Sequence, residues 1–181
     1  SKTSYITAEN TGKDQFPLVK TTKEITPYPD EPETPSTPST PSTPATAPVV
    51  GKAYKLESTN SSGALYFTGV KSGSLTTATA KAQGLDVYIE AATGDEYYIY
   101  YMEAGVKTYL SLDQSKTTAF KTYADKASAK TWKFNAEIGS LVSAEFERFI
   151  GTDLTRSDMR AYAPSNAADT TKYSVAKFVA V

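Results

Sequence analysis

A pattern that returns three times between Gly51 and Val181 is the feature that most limits how this chain can fold. In each copy, two bulky side chains precede small or polar residues. The copies are 43 and then 40 residues apart, counted from Tyr66 to Tyr109 and from Tyr109 to Phe149. A period of roughly 40 residues indicates a repeat architecture, in which each unit buries its apolar face against its neighbours. The copies are Tyr66-Phe67-Thr68-Gly69, Tyr109-Leu110-Ser111-Leu112 and Phe149-Ile150-Gly151-Thr152.

Each of the three units contains four short segments that have the pattern of a β-strand. In the fourth segment of every unit, apolar side chains stand two residues apart, as Trp132 and Phe134 do. Alternation with period two is typical of a strand with one buried face. No segment has the apolar spacing of an amphipathic helix, and 124–130 is expected to form at most one turn. The predicted strands are 53–57, 65–69, 75–80 and 86–90, then 97–102, 108–112, 118–124 and 131–135, then 141–144, 148–152, 159–163 and 173–177.

Twelve strands in three units predict an all-β domain with the β-trefoil fold, built from three pseudo-repeats of roughly 40 residues. Such a fold closes six strands into a barrel and caps it with three hairpins, so that few strand edges stay exposed. A five-stranded OB-like barrel and a β-sandwich are the alternatives, because both also contain many short strands separated by turns. The regular repeat favours the trefoil.

A segment rich in Pro, Ser and Thr divides the chain, and we predict three parts: 1–25, 26–49 and 50–181. Within the second part, prolines recur at every third residue from Pro29 to Pro44. Three residues per turn is the repeat of polyproline II, which is extended and has no internal hydrogen bonds. The segment is therefore predicted to be a semi-rigid linker in front of the trefoil domain.

The N-terminal part, 1–25, is a short stub that matches the end of the main domain. With a constant offset of 157 residues, Phe16 aligns with Tyr173 and Leu18 aligns with Val175. A segment of this length is too short to build its own core. We therefore interpret it as the C-terminal tail of a preceding homologous repeat domain, so that further domains belong to the same polypeptide.

Composition excludes several kinds of chemistry. The 181 residues include neither His nor Cys, which rules out His- and Cys-based catalysis, zinc sites and disulfides. The net charge is −1 and no basic patch stands out, so nucleic acid is not an expected partner of this domain. No run of 18 apolar residues is present, so membrane insertion is not expected. Glycine-rich nucleotide loops are also missing, and we predict no cofactor and no metal.

Paired carboxylates are the remaining route to catalysis, because a glycosidase needs only two of them. Charged residues at strand ends and in loops are normally solvated, and all the pairs in this chain fall in such places. We therefore predict that the domain is not an enzyme and that binding is its activity. The pairs are Asp95 with Glu96, Glu145 with Glu147, and Asp153 with Asp158.

Aromatic and short polar side chains recur near the third strands of the second and third units. An exposed tyrosine ring can stack on the apolar face of a sugar, while neighbouring carboxylate, amide and hydroxyl groups bond to its hydroxyls. These residues therefore predict a glycan-binding site without catalytic residues. The predicted contacts are Ser111, Asp113, Tyr123, Asp125, Tyr162 and Asn166. The alternative is that the two tyrosine rings cover the barrel or fill its cap.

A run of four tyrosines within 97–102 also suggests a binding stripe. Period-two alternation places Tyr97, Ile99 and Tyr101 on one face of a strand and Tyr98, Tyr100 and Met102 on the other. We expect one set to line the barrel, and a strand belonging to the core is the favoured interpretation of this run. Trp132 is also predicted to lie in the core.

The segments Ser62-Gly63-Ala64-Leu65-Tyr66-Phe67-Thr68 and Ala104-Gly105-Val106-Lys107-Thr108-Tyr109-Leu110-Ser111-Leu112 resemble the start of ricin-type β-trefoil repeats. The resemblance covers 51–181 and implies a lectin-like domain. The chain departs from the Gln-x-Trp pattern of that family, because Lys130 stands where Gln is usual before Trp132. The family's disulfides are also missing. The family binds galactose through an Asp in the second strand, and the matching positions here are Thr68, Ser111 and Gly151.

Together these features predict a glycan-binding module of a larger secreted or cell-surface bacterial protein. Its expected partner is a glycan or a polysaccharide of a host or cell surface, and its expected location is extracellular. The alternative is a structural or protein-binding adhesin or spacer module, or the accessory module of an extracellular hydrolase or nuclease. Exposed Tyr123 and Tyr162 rings favour the glycan-binding module, and burial of both favours the alternative.

Overall fold

The computed structural model describes residues 5–8, 18–21, 46–113 and 116–181. The chain divides into two compact units, Ser1–Ser42 and Thr43–Val181. In the first unit, β1 (Tyr5–Ala8) pairs antiparallel with β2 (Leu18–Thr21). Most of the predicted linker, up to residue 45, lies outside the described residues, so the polyproline II prediction stays a prediction.

The second unit is an all-β domain in which all the described strand pairs are antiparallel. Over residues 46–113 and 116–181 it has no α-helix, only three short 3₁₀ turns. The strands are β3 (Ala53–Asn60), β4 (Gly63–Lys71), β5 (Ser74–Ala78), β6 (Asp86–Ala91), β7 (Glu96–Glu103), β8 (Val106–Asp113), β9 (Lys116–Tyr123), β10 (Trp132–Asn135), β11 (Ser140–Ser143), β12 (Phe149–Asp153), β13 (Arg160–Tyr162), β14 (Tyr173–Val175) and β15 (Lys177–Ala180). The 3₁₀ turns are Lys81–Gln83, Lys126–Ser128 and Pro164–Ala168.

The all-β class predicted from the alternation is confirmed, and each predicted strand overlaps an observed one. The last predicted strand, 173–177, is divided into β14 and β15 at Ala176. There the Ala176 amide donates to the carbonyl oxygen of Ile150 (2.8 Å). The stretch 124–130 forms a single turn at Lys126–Ser128, as expected from its lack of helical spacing.

The strand pairs follow one plan that is repeated along the chain. The strands β3, β6, β7, β10 and β11 are hydrogen-bonded in that order, and β15 pairs with β3. Three hairpins, β4–β5, β8–β9 and β12–β13, are added to this series. The Ser140 hydroxyl on β11 donates to the carbonyl oxygen of Ala176 (2.6 Å), which links β11 to the junction of β14 and β15.

The core is formed by apolar side chains from all three units. Trp132 is only 1% exposed, as predicted, and its indole nitrogen donates to the carbonyl oxygen of Leu110 (3.0 Å). Its ring stacks on Phe120 with centroids 6.4 Å apart. Other fully buried side chains are Leu56, Phe67, Leu75, Ile89, Ile99, Leu112, Leu141, Ile150 and Met159.

The tyrosine run on β7 has the two faces that its alternation predicts. Ile99 and Tyr101 are buried in the core, while Tyr98 and Tyr100 are half-buried and Met102 is exposed on the opposite face. Burial raises the pKa of Tyr101 to about 12, because the ionised phenolate is poorly solvated there. The odd-numbered set therefore belongs to the core, and the even-numbered set is left on the outer face.

The third copy of the repeat carries a glycine, Gly151, because neighbouring strands approach it closely on both sides. It pairs with Arg160 on one side and with Val175 on the other, so β12 is enclosed between two strands. A Cβ atom at this position would lie 2.5 Å from the carbonyl oxygen of Ser174 and 2.7 Å from the Phe149 ring. Only a residue without a side chain fits such a close approach of two backbones.

Candidate functional site

Ser111 was predicted to contact a ligand, but the structure corrects this prediction. Its side chain is fully buried, and its hydroxyl accepts a hydrogen bond from the Lys130 amide (3.0 Å) and donates to the carbonyl oxygen of Leu112 (3.0 Å). The turn after β9 folds back over β8 and brings the Lys130 amide to the Ser111 hydroxyl. A surface ligand cannot reach Ser111, so it is withdrawn from the predicted contacts.

The other predicted residues of the second unit lie near the ends of β8 and β9. Tyr123 is half-buried and pairs across the hairpin with Tyr109, and the half-buried Asp113 pairs with Lys116. Asp125 is exposed, and its carboxylate caps the 3₁₀ turn by accepting from the Ala127 amide (3.1 Å) and the Ser128 hydroxyl (3.0 Å). Asp125 therefore has a local structural role besides any contact with a ligand.

Tyr162 and Asn166 lie on and after β13, on a different hairpin from Tyr123. The Tyr162 ring packs against Tyr173 at 4.9 Å and Phe149 at 5.9 Å. Its hydroxyl accepts from the Asp153 amide (3.2 Å), and burial raises its pKa. Asn166 is half-buried within the 3₁₀ turn Pro164–Ala168. Tyr162 is thus mainly occupied by packing, while neither it nor Tyr123 is fully buried or fully exposed.

A cross-strand row of tyrosines covers the outer side of β6, β7, β8 and β9. Tyr88 pairs with Tyr100, Tyr100 pairs with Tyr109, and Tyr109 pairs with Tyr123. Directly opposed residues in antiparallel strands present their side chains on the same side of the sheet. We call the surface formed by Tyr88, Tyr98, Tyr100, Tyr109 and Tyr123 the tyrosine face.

Four of the five rings of the tyrosine face are linked by ring contacts. Tyr88 and Tyr100 are stacked, with centroids 5.2 Å apart and planes 18° apart. Tyr109 lies 5.8 Å from Tyr100 and 5.9 Å from Tyr98 and is nearly buried beneath them. Aromatic pairs in these geometries stabilise each other beyond the area that they bury. Tyr88, Tyr98, Tyr100 and Tyr109 therefore form a continuous aromatic surface with Tyr109 as its floor, and Tyr123 extends the row on β9.

Three lysines project over the tyrosine rings. The Lys107 ammonium lies 4.2 Å from the centroid of Tyr100, and the Lys126 ammonium lies 4.8 Å from that of Tyr98. Lys121 lies 5.2 Å from the centroid of Tyr123. An ammonium group over an aromatic ring is attracted by the negative face of the ring. These contacts hold positive charge along the aromatic surface.

Glu90 is the carboxylate at the centre of this cluster. One oxygen accepts from Lys107 (3.0 Å) and from the Tyr109 hydroxyl (3.2 Å), and the other accepts from Lys126. The hydrogen bond from Lys126, followed by that from Lys107, outweighs the effect of burial and lowers the pKa of Glu90 to about 2. Glu90 in turn raises the pKa of both lysines. All three groups are therefore ionised near neutral pH.

The side of Tyr88 that faces β3 is bordered by a small residue. Tyr88 pairs with Ala53 across β3 and β6, and among the described residues its one ring contact is Tyr100, on the other side. Next along the strands, Lys55 lies 2.6 Å from Asp86 and donates to the carbonyl oxygen of Gly84 (2.5 Å). The Asp86 oxygen nearest to Lys55 has no well-aligned hydrogen bond, so the contact between Lys55 and Asp86 is an ion pair. On this side of the sheet, the small side chain of Ala53 therefore lies next to Tyr88 and to the Lys55–Asp86 pair, and we call this part of the surface the shelf.

A cavity of about 310 Å³ lies elsewhere, where the chain enters the domain. Its lining includes Val49, Tyr54, Phe134 and Phe178, and the Tyr54 hydroxyl accepts from the Val49 amide (2.7 Å). Lys177 is the one charged residue that lines it among the described residues. The tyrosine face combines more aromatic rings with more converging charges and is the better candidate site.

The sequence contains the tyrosines of this face, but their separation along the chain hides the site. Tyr98 and Tyr100 were treated as part of a core strand, and Tyr88 and Glu90 were not predicted as contacts. The signal that identifies them is the register between β6, β7 and β8, which places Tyr88, Tyr100 and Tyr109 in one row although Tyr88 and Tyr109 are 21 positions apart.

Within the described ranges, no group of three or more His, Cys, Asp or Glu residues is arranged to hold a metal ion. In the same part of the chain, none of the helical segments has the length and apolar character needed to cross a membrane. Comparison of this chain with protein-family models, with curated proteins and with solved structures gave no match.

Proposed function

We propose that the second unit is a non-catalytic glycan-binding module with β-trefoil topology, and that it binds sugar on the tyrosine face. The observation that carries the proposal is the row of tyrosines joined to Glu90, Lys107 and Lys126. This surface offers both groups that sugar recognition needs, which are an aromatic platform and fixed polar partners.

The strand pairing supports the trefoil. In each of the three units, the first and fourth strands belong to the series β3, β6, β7, β10 and β11, to which β15 is added by its pairing with β3. The second and third strands of each unit form a hairpin. An OB-like barrel has only five strands, and a sandwich divides its strands between two sheets. The threefold plan is therefore best described as six barrel strands with three hairpins.

A sugar ring would stack on the Tyr88 side chain above Ala53. Asp86, paired with the buried Lys55, lies at one end of this shelf, and Glu90 with Lys107 lies beyond Tyr88 on the same side of the sheet. Carboxylate oxygens accept hydrogen bonds from sugar hydroxyls, and ammonium groups donate to them. Stacking contributes about 1 kcal/mol, so a single site of this kind binds weakly and gains from neighbouring sites or modules.

The electrostatics favour binding over catalysis. A glycosidase requires one carboxyl group that is protonated near its working pH so that it can act as the general acid. Glu90 has a pKa of about 2. Asp158 also has a pKa of about 2, because hydrogen bonds from Arg156, Ser74 and Arg160 outweigh the opposing effect of burial. Neither carboxylate is suited to donate a proton at neutral pH.

The proposed context is a secreted or cell-surface bacterial protein with several domains joined by the linker rich in Pro, Ser and Thr. The second candidate is a protein-binding adhesin or spacer module, or the accessory module of an extracellular hydrolase or nuclease. The observation that favours it is the same face, because tyrosines with flanking charges are also common at the centres of protein interfaces.

The experiment that tests the proposal is a glycan array probed with the full chain and two variants. Tyr88→Ala removes the stacking platform, and Tyr173→Ala removes a half-buried ring on β14 as a matched control. Circular dichroism confirms that each variant is folded. We expect selective binding that falls about fivefold to tenfold in Tyr88→Ala and is retained in Tyr173→Ala.

Two other outcomes of the glycan array would change the proposal. Selective binding that survives in Tyr88→Ala would move the sugar site away from this shelf while leaving a lectin. No binding to mucin, plant or bacterial glycans would contradict the proposal and favour the protein-binding module.

A further inference from the structure

We infer that the glycan bound by the tyrosine face carries carboxylate groups, as uronic acids do; this inference rests on the function proposed above. The first observation is the local charge. Three ammonium groups, on Lys107, Lys121 and Lys126, lie over the tyrosine rings. Glu90 bonds to two of them, and Asp125 directly precedes Lys126 in the chain. These five groups sum to a charge of +1, although the whole chain has −1.

The second observation is that the charge of Glu90 is compensated by its neighbours. It already accepts hydrogen bonds from Lys107, Lys126 and the Tyr109 hydroxyl. Two cations surround its single negative charge, so it does not repel an approaching anion strongly. Asp125 is similarly engaged by the Ala127 amide and the Ser128 hydroxyl. Both carboxylates thus already have hydrogen-bond partners within the protein.

The third observation is that the two lysines keep donors for a ligand. An ammonium group has three hydrogen-bond donors, and Lys107 and Lys126 each direct one to Glu90. Their side chains are 43% and 40% exposed. Each can therefore donate to an anion from solvent without losing its bond to Glu90.

The spacing suits a carboxylate that is attached directly to a sugar ring. The Lys107 ammonium lies 4.2 Å from the centroid of Tyr100, which is itself stacked on Tyr88. The same ammonium group lies 3.0 Å from Glu90, which follows Tyr88 by two residues on β6 and therefore lies on the same side of the sheet. A pyranose on this part of the face can turn the C6 carboxylate at its edge toward that ammonium group. Stacking and ion pairing are then satisfied by one sugar residue, which is the geometry of a uronate.

The test compares carboxylated glycans with their carboxyl-reduced forms, which keep the same backbone without the charge. The full chain is titrated by calorimetry with oligogalacturonate, alginate and hyaluronate oligosaccharides and with each reduced partner. We expect at least one uronate to bind roughly tenfold more tightly than its reduced form. Binding should weaken as NaCl is raised from about 0.05 to 0.5 M, since exposed charges are screened.

Variants identify the charges responsible. Lys107→Gln combined with Lys126→Gln is expected to remove the preference for the uronate. Lys133→Gln is the matched control, because Lys133 forms an exposed ion pair with Glu147 (3.4 Å) outside the tyrosine face. Glu90→Gln removes the negative charge between the lysines and is expected to strengthen uronate binding. Weaker binding in Glu90→Gln would contradict the electrostatic argument.

The outcomes separate this inference from the proposed function. Equal binding of the charged and reduced forms that depends on Tyr88 would overturn the carboxylate preference and keep the glycan-binding function. Preference for a sulfated glycan over every uronate would overturn the choice of carboxylate. Absence of binding to all the oligosaccharides, together with a silent glycan array, would overturn both proposals.

Discussion

Replacing Trp132 by Phe exchanges one aromatic residue for another, but we expect it to destabilise the domain strongly. Trp132 is 1% exposed, and its indole N–H donates to the carbonyl oxygen of Leu110 on β8 (3.0 Å). The ring also stacks on Phe120 of β9. One side chain therefore ties β10 to the hairpin β8–β9. Phenylalanine keeps the aromatic contact in part but has no donor for Leu110.

The expected loss combines two terms. Withdrawing the donor from a buried carbonyl oxygen costs about 1–3 kcal/mol. The smaller ring leaves roughly 40 Å³ unfilled, which adds about 1 kcal/mol at about 24 cal/mol per Å³. The free energy of unfolding should therefore fall by about 2–4 kcal/mol. With a urea m-value of about 2 kcal/mol per M, the midpoint should fall by about 1–2 M.

The assay is equilibrium urea unfolding followed by far-UV circular dichroism, because the variant lacks the chain's single tryptophan and its fluorescence. Tyr123→Phe is the control, since it removes one hydroxyl from a half-buried ring and should change stability by less than about 0.5 kcal/mol. A loss below about 1 kcal/mol for Trp132→Phe would show that the indole bond is not formed and would refute the reasoning.

Three further predictions concern other parts of the domain. Gly151→Ala should cost about 1–3 kcal/mol or more in urea unfolding, because the new Cβ would lie 2.5 Å from the carbonyl oxygen of Ser174; an unchanged midpoint would contradict the close packing of β12. Glu90 has a folded-state pKa of about 2 against an ordinary 4.5, so its ionised form stabilises the fold above about pH 4.5 and this contribution is lost as the pH falls toward 2. The stability difference between the wild type and Glu90→Gln, under about 1 kcal/mol for so exposed a group, should therefore shrink over that range, and a constant difference would refute the assignment. Tyr101 has a pKa of about 12, so its neutral form stabilises the fold below pH 10, and this contribution to stability is lost as the pH rises toward 12. In an ultraviolet titration, the Tyr101→Phe variant should therefore lack one tyrosine that ionises late in the wild type.

The sequence was sufficient to predict the strands and much of the core, because both depend on short-range patterns. Alternation at Trp132 and Phe134 indicates one buried face, and the observed β10 begins at Trp132. The same argument correctly divided the run on β7 between core and surface. These features need only the neighbours of each residue along the chain.

The candidate site could not be predicted in the same way, because it depends on register between distant segments. Tyr88, Tyr100, Tyr109 and Tyr123 form one row only when the three strand pairs that join β6 to β9 have the observed alignment. A shift of one residue in any pair would place a tyrosine on the opposite face. Turn geometry contributes to this alignment together with the hydrophobic pattern, and the pattern within a single strand does not specify it.

Two of the predicted contacts illustrate the limits of local patterns. Ser111 was predicted to contact a ligand, but the chain after β9 folds back and places the Lys130 amide on its hydroxyl. Tyr162 is held by Phe149 and Tyr173, which lie 13 and 11 residues from it along the chain. Tertiary contacts of this kind decide whether a polar or aromatic side chain is available to a ligand.

The most direct test of the account is side-chain NMR of the full chain with fluorinated tyrosine, titrated with glycans from the array and with uronate oligosaccharides. Resonances are assigned by single Tyr→Phe variants. The account predicts that a bound glycan shifts the signals of Tyr88 and Tyr100 and leaves those of Tyr162 and Tyr173 unchanged. Shifts confined to Tyr162 and Tyr173, or no shift with any glycan, would contradict a sugar site on the tyrosine face.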